Sequence, residues 1–206
     1  MSGVDLYVAL ALGIGLAAAS GFRVFIPPFL YGLATRFDLN PTAFAGSDMQ
    51  AWMASDVGLT VLGAAVVCEL LAYYIPWLDN LLDAIASPAA VVGGMVLMSS
   101  SLGELDPVLR WSTSIIVGGT TSGTVQVTTV GVRALSTAST GGLGNPLVST
   151  VEAAACLVCT VLALLLPLLA MALVVTGLIM GGRWLLRRRA MKGADGVALV
   201  PMNPQT

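Results

Sequence analysis

Two charged residues sit where a lipid-facing helix has little use for charge. Glu69 lies among Val66, Val67, Cys68, Leu70, Leu71 and Ala72, and a carboxylate in such a run is costly unless it is protonated, paired or facing a wet cavity. Arg23 follows Ser20, Gly21 and Phe22 in an otherwise apolar stretch, and a buried guanidinium takes a carboxylate or backbone carbonyls as its partner. Two arrangements are open. Arg23 and Glu69 form a structural ion pair, or Arg23 faces a cavity and binds an anion, helped by helix N-terminal amides exposed at the break near Gly21. For Glu69 the plainer alternative is a hydrogen bond to a neighbouring helix that fixes packing.

Other polar groups carry weaker signals. Asp79 and Asp83 are four apart and share a helical face; with Asn80 they make an oxygen-rich candidate cation site. Carboxylates in the first turn of a helix also stabilise its dipole, and that reading is the stronger of the two. Ser149-Thr150-Val151-Glu152 has the capping-box pattern, which assigns Glu152 to a helix start. Cys156 and Cys159 have redox-motif spacing but apolar neighbours, so they and Cys68 read as small buried core residues. The chain has no histidine and no nucleophile–base pair. No catalytic residue, metal site or cofactor is expected, and an enzyme is the least favoured class.

The elements that position these groups must be membrane helices. Hydrophobic residues make up 57% of the chain and charged residues 10%, against about a quarter charged in soluble domains; the mean hydropathy is +0.91. Lys+Arg and Asp+Glu total 9 and 11, so no basic groove exists for nucleic acid. The first residues carry no positive charge ahead of the apolar stretch, which predicts a retained span rather than a signal peptide. Crossing a bilayer takes about 20 residues. Five spans are expected, at about 5–35, 57–75, 81–102, 108–135 and 151–180, the first broken or kinked near Gly21 and Pro27-Pro28, the last at Pro167. Pro88 either lies inside the third span or opens it behind a short interfacial helix. Tyr73, Tyr74 and Trp77 suit the membrane interface.

The chain also reads as one unit written twice. Ser20-Gly21 has a counterpart in Ser122-Gly123, each cutting an apolar segment, and residues 64–78 (AAVVCELLAYYIPWL) align with 155–169 (ACLVCTVLALLLPLL). Asn40-Pro41 and Asn145-Pro146 fall in the paired loops, and Glu69 aligns with Thr160. Repeat one covers about 5–78, a central helix 79–104 and repeat two 107–182, within a single transmembrane domain at 1–192; a polar tail follows at 193–206. Repeats beginning three spans apart have opposite orientations, the inverted arrangement of many transporters, and paired broken helices point to a site at their interface. Freed backbone groups at the two breaks would then meet near mid-bilayer. The small, hydroxyl-rich stretch from Gly118 to Thr129 either lets helices approach closely or lines a polar path.

Three runs resemble one known family: residues 15–25 (GLAAASGFRVF), 72–83 (AYYIPWLDNLLD) and 136–146 (STASTGGLGNP). They are similar to the domain-of-unknown-function family numbered 4126, small membrane proteins of bacteria and plastids. The likeness covers nearly the whole chain up to Lys192. It implies an integral membrane protein and draws attention to Arg23, Asp79, Asn80, Asp83 and Asn145, but it implies no substrate.

The expectation is an all-α protein of the bacterial cytoplasmic (inner) membrane that acts as a transporter or channel for a small ion or polar solute. Arg23 and Glu69 form or flank the site, shaped by Gly21, Gly118 to Gly123 and Asn145. Arg183, Arg187, Arg188, Arg189 and Lys192 keep the carboxyl terminus cytoplasmic, so five spans put the amino terminus outside. The competing reading is a non-transporting subunit that packs against a partner and docks through its polar tail. Expected partners are membrane lipid, the small solute, and a second copy or another membrane protein.

Overall fold

The computed structural model describes residues 3–39, 47–72 and 75–198, with the side chains of 76–83, 184–186 and 188–198 outside the description. Among the described residues the fold is helical throughout: α1 (Gly3–Phe22), α2 (Ile26–Arg36), α3 (Asp48–Ala54), α4 (Asp56–Ala72), α5 (Pro76–Ser101), α6 (Pro107–Thr113), a π-helical turn (Ser114–Gly118), α7 (Gly119–Thr140), α8 (Asn145–Leu165) and α9 (Pro167–Ala198). Proline stands in the first turn of α2, α5, α6 and α8 and opens α9. At such a position its missing N–H costs nothing and its fixed φ suits the helix. Gly141 ends α7 in the left-handed region, φ 65°, and donates to the Thr137 carbonyl, a standard glycine stop.

The chain forms two compact units, Met1–Met171 and Ala172–Thr206. In the first, α1 is buried continuously from Gly15 to Gly21 and packs against α5, α7 and α8. The helices approach closely because small residues meet. A Cβ placed on Gly21 would lie 2.5 Å from the Ser122 carbonyl oxygen, and one on Gly118 would lie 2.7 Å from the Gly94 carbonyl. Such contacts are the usual source of helix association in lipid. The second unit is the remainder of α9, with Leu173, Val175, Ile179 and Met180 exposed.

Three helices are long and apolar enough to cross a membrane, Gly3–Phe22, Ala84–Ser101 and Asn145–Leu165. A fourth appears if the pair Asp48–Ala54 and Asp56–Ala72, bent by 72°, counts as one span. This is fewer than the five expected. The segment centred on α7 falls short because its inner face is polar, and the last expected span divides at Pro167, with a shorter, mainly apolar helical stretch, Pro167–Arg183, after the break. Pro88 lies inside an uninterrupted α5.

The first expected break is present and the second is not. α1 ends at Phe22 and α2 begins at Ile26, whereas α7 runs unbroken through Ser122 and Gly123. The Ser122 hydroxyl donates to the carbonyls of Gly118 and Gly119, at 2.9 and 3.2 Å, so it finds its partner within the helix. Departure from α geometry comes earlier, at the π turn from Ser114 to Gly118. On the outward side of α7 the exposed Thr124 and Thr128 donate to the carbonyls of Thr120 and Thr124, at 2.7 and 2.8 Å. The expected meeting of the two Ser-Gly pairs does occur, through Gly21 against Ser122 and Val125, as packing rather than as two sets of freed amides. Asn40-Pro41, Tyr73, Tyr74 and residues 199–206 lie outside the described residues.

Candidate functional site

Interior and exterior are exchanged relative to a soluble helix bundle. The inner stripe of α7 reads Gly119, Ser122, Gln126, Thr129 and Arg133, and that of α8 reads Asn145, Ser149, Glu152, Cys156 and Thr160; all are buried. Steps of three and four residues hold each set on one helical face. Val127, Val132 and Leu135 of α7, and Leu147, Val151, Val158 and Leu165 of α8, are exposed instead. Sequence with this polarity suits lipid outside and polar contact inside.

Glu69, 6% exposed, is buried as expected, but its carboxylate does not turn to Arg23. It accepts from the backbone N–H groups of Val24 and Phe25, at 2.8 and 3.1 Å. These amides belong to the break, where Phe25 caps α2 without a side-chain hydrogen bond of its own. A helix N-terminus leaves its first N–H groups unpartnered, and α4 supplies the missing acceptor across the fold. Of the readings open for Glu69, the structure shows the plainer one, a hydrogen-bonded packing contact, made with the amides of the α1–α2 break rather than with Arg23.

Arg23, 1% exposed, reaches α8 instead. Its Nη2 donates to the Ser149 carbonyl at 2.8 Å and to the Ser149 hydroxyl, and lies 3.7 Å from Glu152 Oε2. Arg133 of α7, 3% exposed, grips the same carboxylate: Nε donates to Oε2 at 2.9 Å and Nη2 also donates to Oε2. One carboxylate is thus shared by two guanidinium groups, one from the α1–α2 break and one from α7. Asn145, a turn before Ser149, donates to the Thr137 hydroxyl at 3.0 Å and extends the polar contact between α7 and α8.

Of the expected site residues, Arg23, Glu69, Gly21 and Asn145 converge on the α1–α2 break and the face of α8. Gly123 stands beside α5, where a Cβ would meet Val91 at 3.3 Å. The side chains of Asp79, Asn80 and Asp83 lie outside the described residues. Glu152 and Arg133 were missed. The capping-box reading of Ser149 to Glu152 fails because α8 starts at Asn145, which places both residues inside the helix; Pro146, a first-turn proline, was the available signal. Among the cysteines, Cys156 is buried and its thiol donates to the Ala19 carbonyl at 3.3 Å. Cys68 is exposed, a correction to its expected burial.

A cavity of about 330 Å³ opens between α2 and α8, lined by Leu30, Leu33, Ala34, Phe37, Val161 and Leu165 among others. It offers no polar group to orient a solute, so the charged cluster is the better candidate site.

No curated protein and no solved structure matches the chain. Residues 10–188 match the family described as a domain of unknown function, DUF4126. With its polar-cored bundle of apolar helices and a match over most of its length, the chain is a member of the DUF4126 family.

Proposed function

We propose that this protein is a small transmembrane transporter or channel for a small ion or polar solute, resident in the bacterial cytoplasmic membrane with its carboxyl terminus in the cytoplasm. The observation that carries the reading is the burial of Arg23, Arg133, Glu69 and Glu152 among helices whose outer faces are apolar. Ionisable groups inside a membrane are expensive and are kept where a solute path or relay needs them. The site is not assigned any covalent chemistry.

The test is reconstitution of the purified protein into proteoliposomes and measurement of flux for a panel of inorganic ions and small polar solutes. Flux should exceed that of empty vesicles, and Arg133→Gln should abolish it. A folded wild-type protein that moves nothing across the panel would sink the reading.

A second reading, a non-transporting subunit, draws on the mutual satisfaction of Arg133, Glu152, Glu69 and the Val24 and Phe25 amides, together with the tight glycine contacts. It predicts that substitutions in the cluster lower thermal stability while no solute moves even through the wild type.

A further inference from the structure

The arrangement around Glu152 specifies a ligand class. Resting on the transport reading, we propose that Arg23 and Arg133 form a binding site for a small planar monovalent oxyanion, of carboxylate or nitrate type, which the Glu152 side chain fills until solute displaces it.

The first support is geometric. Arg133 turns Nε and Nη2 to one carboxylate, both closest to Oε2, with Nε also 3.3 Å from Oε1; a guanidinium edge with two N–H groups aimed at one anion suits a planar oxyanion. The second is the sharing of that carboxylate. Arg23 Nη2, which donates to the Ser149 carbonyl at 2.8 Å, stands 3.7 Å from Oε2, so a second guanidinium faces the carboxylate that Arg133 holds from α7. The third is electrostatic. Filling the arginines with a second carboxylate of equal charge and shape keeps their ion-pair energy nearly unchanged, and the displaced Glu152 carboxylate, itself buried, takes up a proton so that no unpaired charge is left inside. Each exchange then carries one proton with one anion.

Asn145, Ser149 and Glu152 lie along one buried face of α8, and the turn that contains the exposed Gly141 precedes Asn145. Seven residues of helix from Asn145 to Glu152 set the carboxylate roughly 10 Å below that turn. The oxygens of Glu69 are bonded to the Val24 and Phe25 amides.

The experiment uses the whole chain in lipid nanodiscs as wild type, Glu152→Ala, Glu152→Gln and the double variant Glu152→Ala with Arg133→Gln. Thermal unfolding is followed in sodium formate, nitrate and sulfate, with sodium gluconate balancing ionic strength. Formate and nitrate should raise the Tm of Glu152→Ala in a saturable way by roughly 4 °C or more, with a smaller rise in wild type and none in the double variant. If Glu152→Ala does not survive purification in gluconate, formate throughout should yield monodisperse protein. A flat response in both single variants, failure of formate to recover a protein that does not otherwise survive, or an equal response to sulfate or in the double variant overturns the site. Formate flux through wild-type proteoliposomes separates the two claims. Anion-dependent stability without flux of any solute keeps the site and removes transport; flux of some solute without anion-dependent stability removes the site and keeps transport.

Discussion

A buried carboxylate goes to whichever donors the fold has left without partners, and for Glu69 these are the Val24 and Phe25 amides. Glu69→Ala should therefore destabilise the protein by about 1–3 kcal/mol, since both amides lose their acceptor and that of the buried Val24 has no other at hand. Glu69→Gln, which keeps an acceptor oxygen, should cost less; thermal unfolding in nanodiscs measures the difference. A Gln variant as unstable as the Ala variant would mean that charge, not capping, holds the contact. That Glu69 is buried was legible, because acid in an apolar run has few destinations. Its partner was not, because the choice between a guanidinium and two amides depends on how α4 meets the break. Exposure of the three thiols was equally hidden, since Cys68 and Cys156 have similar apolar neighbours in sequence. A lipid-soluble maleimide should label Cys68 several-fold faster than Cys156, read by mass spectrometry of the peptides.

At the scale of elements, glycine placement decides how near α1, α5 and α7 come. Gly118→Ala would drive a methyl against the Gly94 carbonyl and the Met98 Cβ, at 2.7 and 2.8 Å. A loss on the order of 1–3 kcal/mol is expected from such overpacking. Gly131 is the internal control, with nothing within 4 Å of its missing Cβ; Gly131→Ala should be neutral or stabilising by up to about 1 kcal/mol through helix propensity. Matching Tm values for the two variants would remove the packing argument. Pro76 and Pro146 stand in the first turns of α5 and α8, whereas the sequence reading places Asn145-Pro146 in a loop and begins that span at about 151; the continuity of α7 was not legible either. Ser-Gly reads as a break in sequence, but the Ser122 hydroxyl bonds back into its own helix and Gly21 fits against the same turn.

For the whole molecule, orientation follows from the charges that remain in loops. Arg133 leaves that count because it is buried and paired, while Arg36 is partly exposed and bonds Asp56 at 2.6 Å, a surface pair of small energetic consequence. The basic run from Arg187 to Lys192 then dominates. A reporter fused after Lys192 should be active only in the cytoplasm, and one fused before Asp5 only outside; both ends on one side would reject that orientation. The strings around Cys68 and Cys159 align in sequence, but an inverted repeat also requires an odd number of crossings between them, which aligned strings do not carry.

That number turns on the outer face of α7. Thr124 and Thr128 spend their hydroxyl protons on carbonyls of the preceding turn, so toward lipid they present chiefly a methyl group. The helix contains 22 residues, about 33 Å and thus the thickness of a hydrocarbon core, although a side-chain-by-side-chain hydropathy scale scores it as polar. In a translocon insertion assay, residues 107–140 should integrate more readily than that scale implies, and Thr124→Asn with Thr128→Asn, whose amides are not silenced in this way, should not. Integration of residues 107–140 in that assay would add one crossing to the chain, and with it would exchange the compartment that each downstream loop meets.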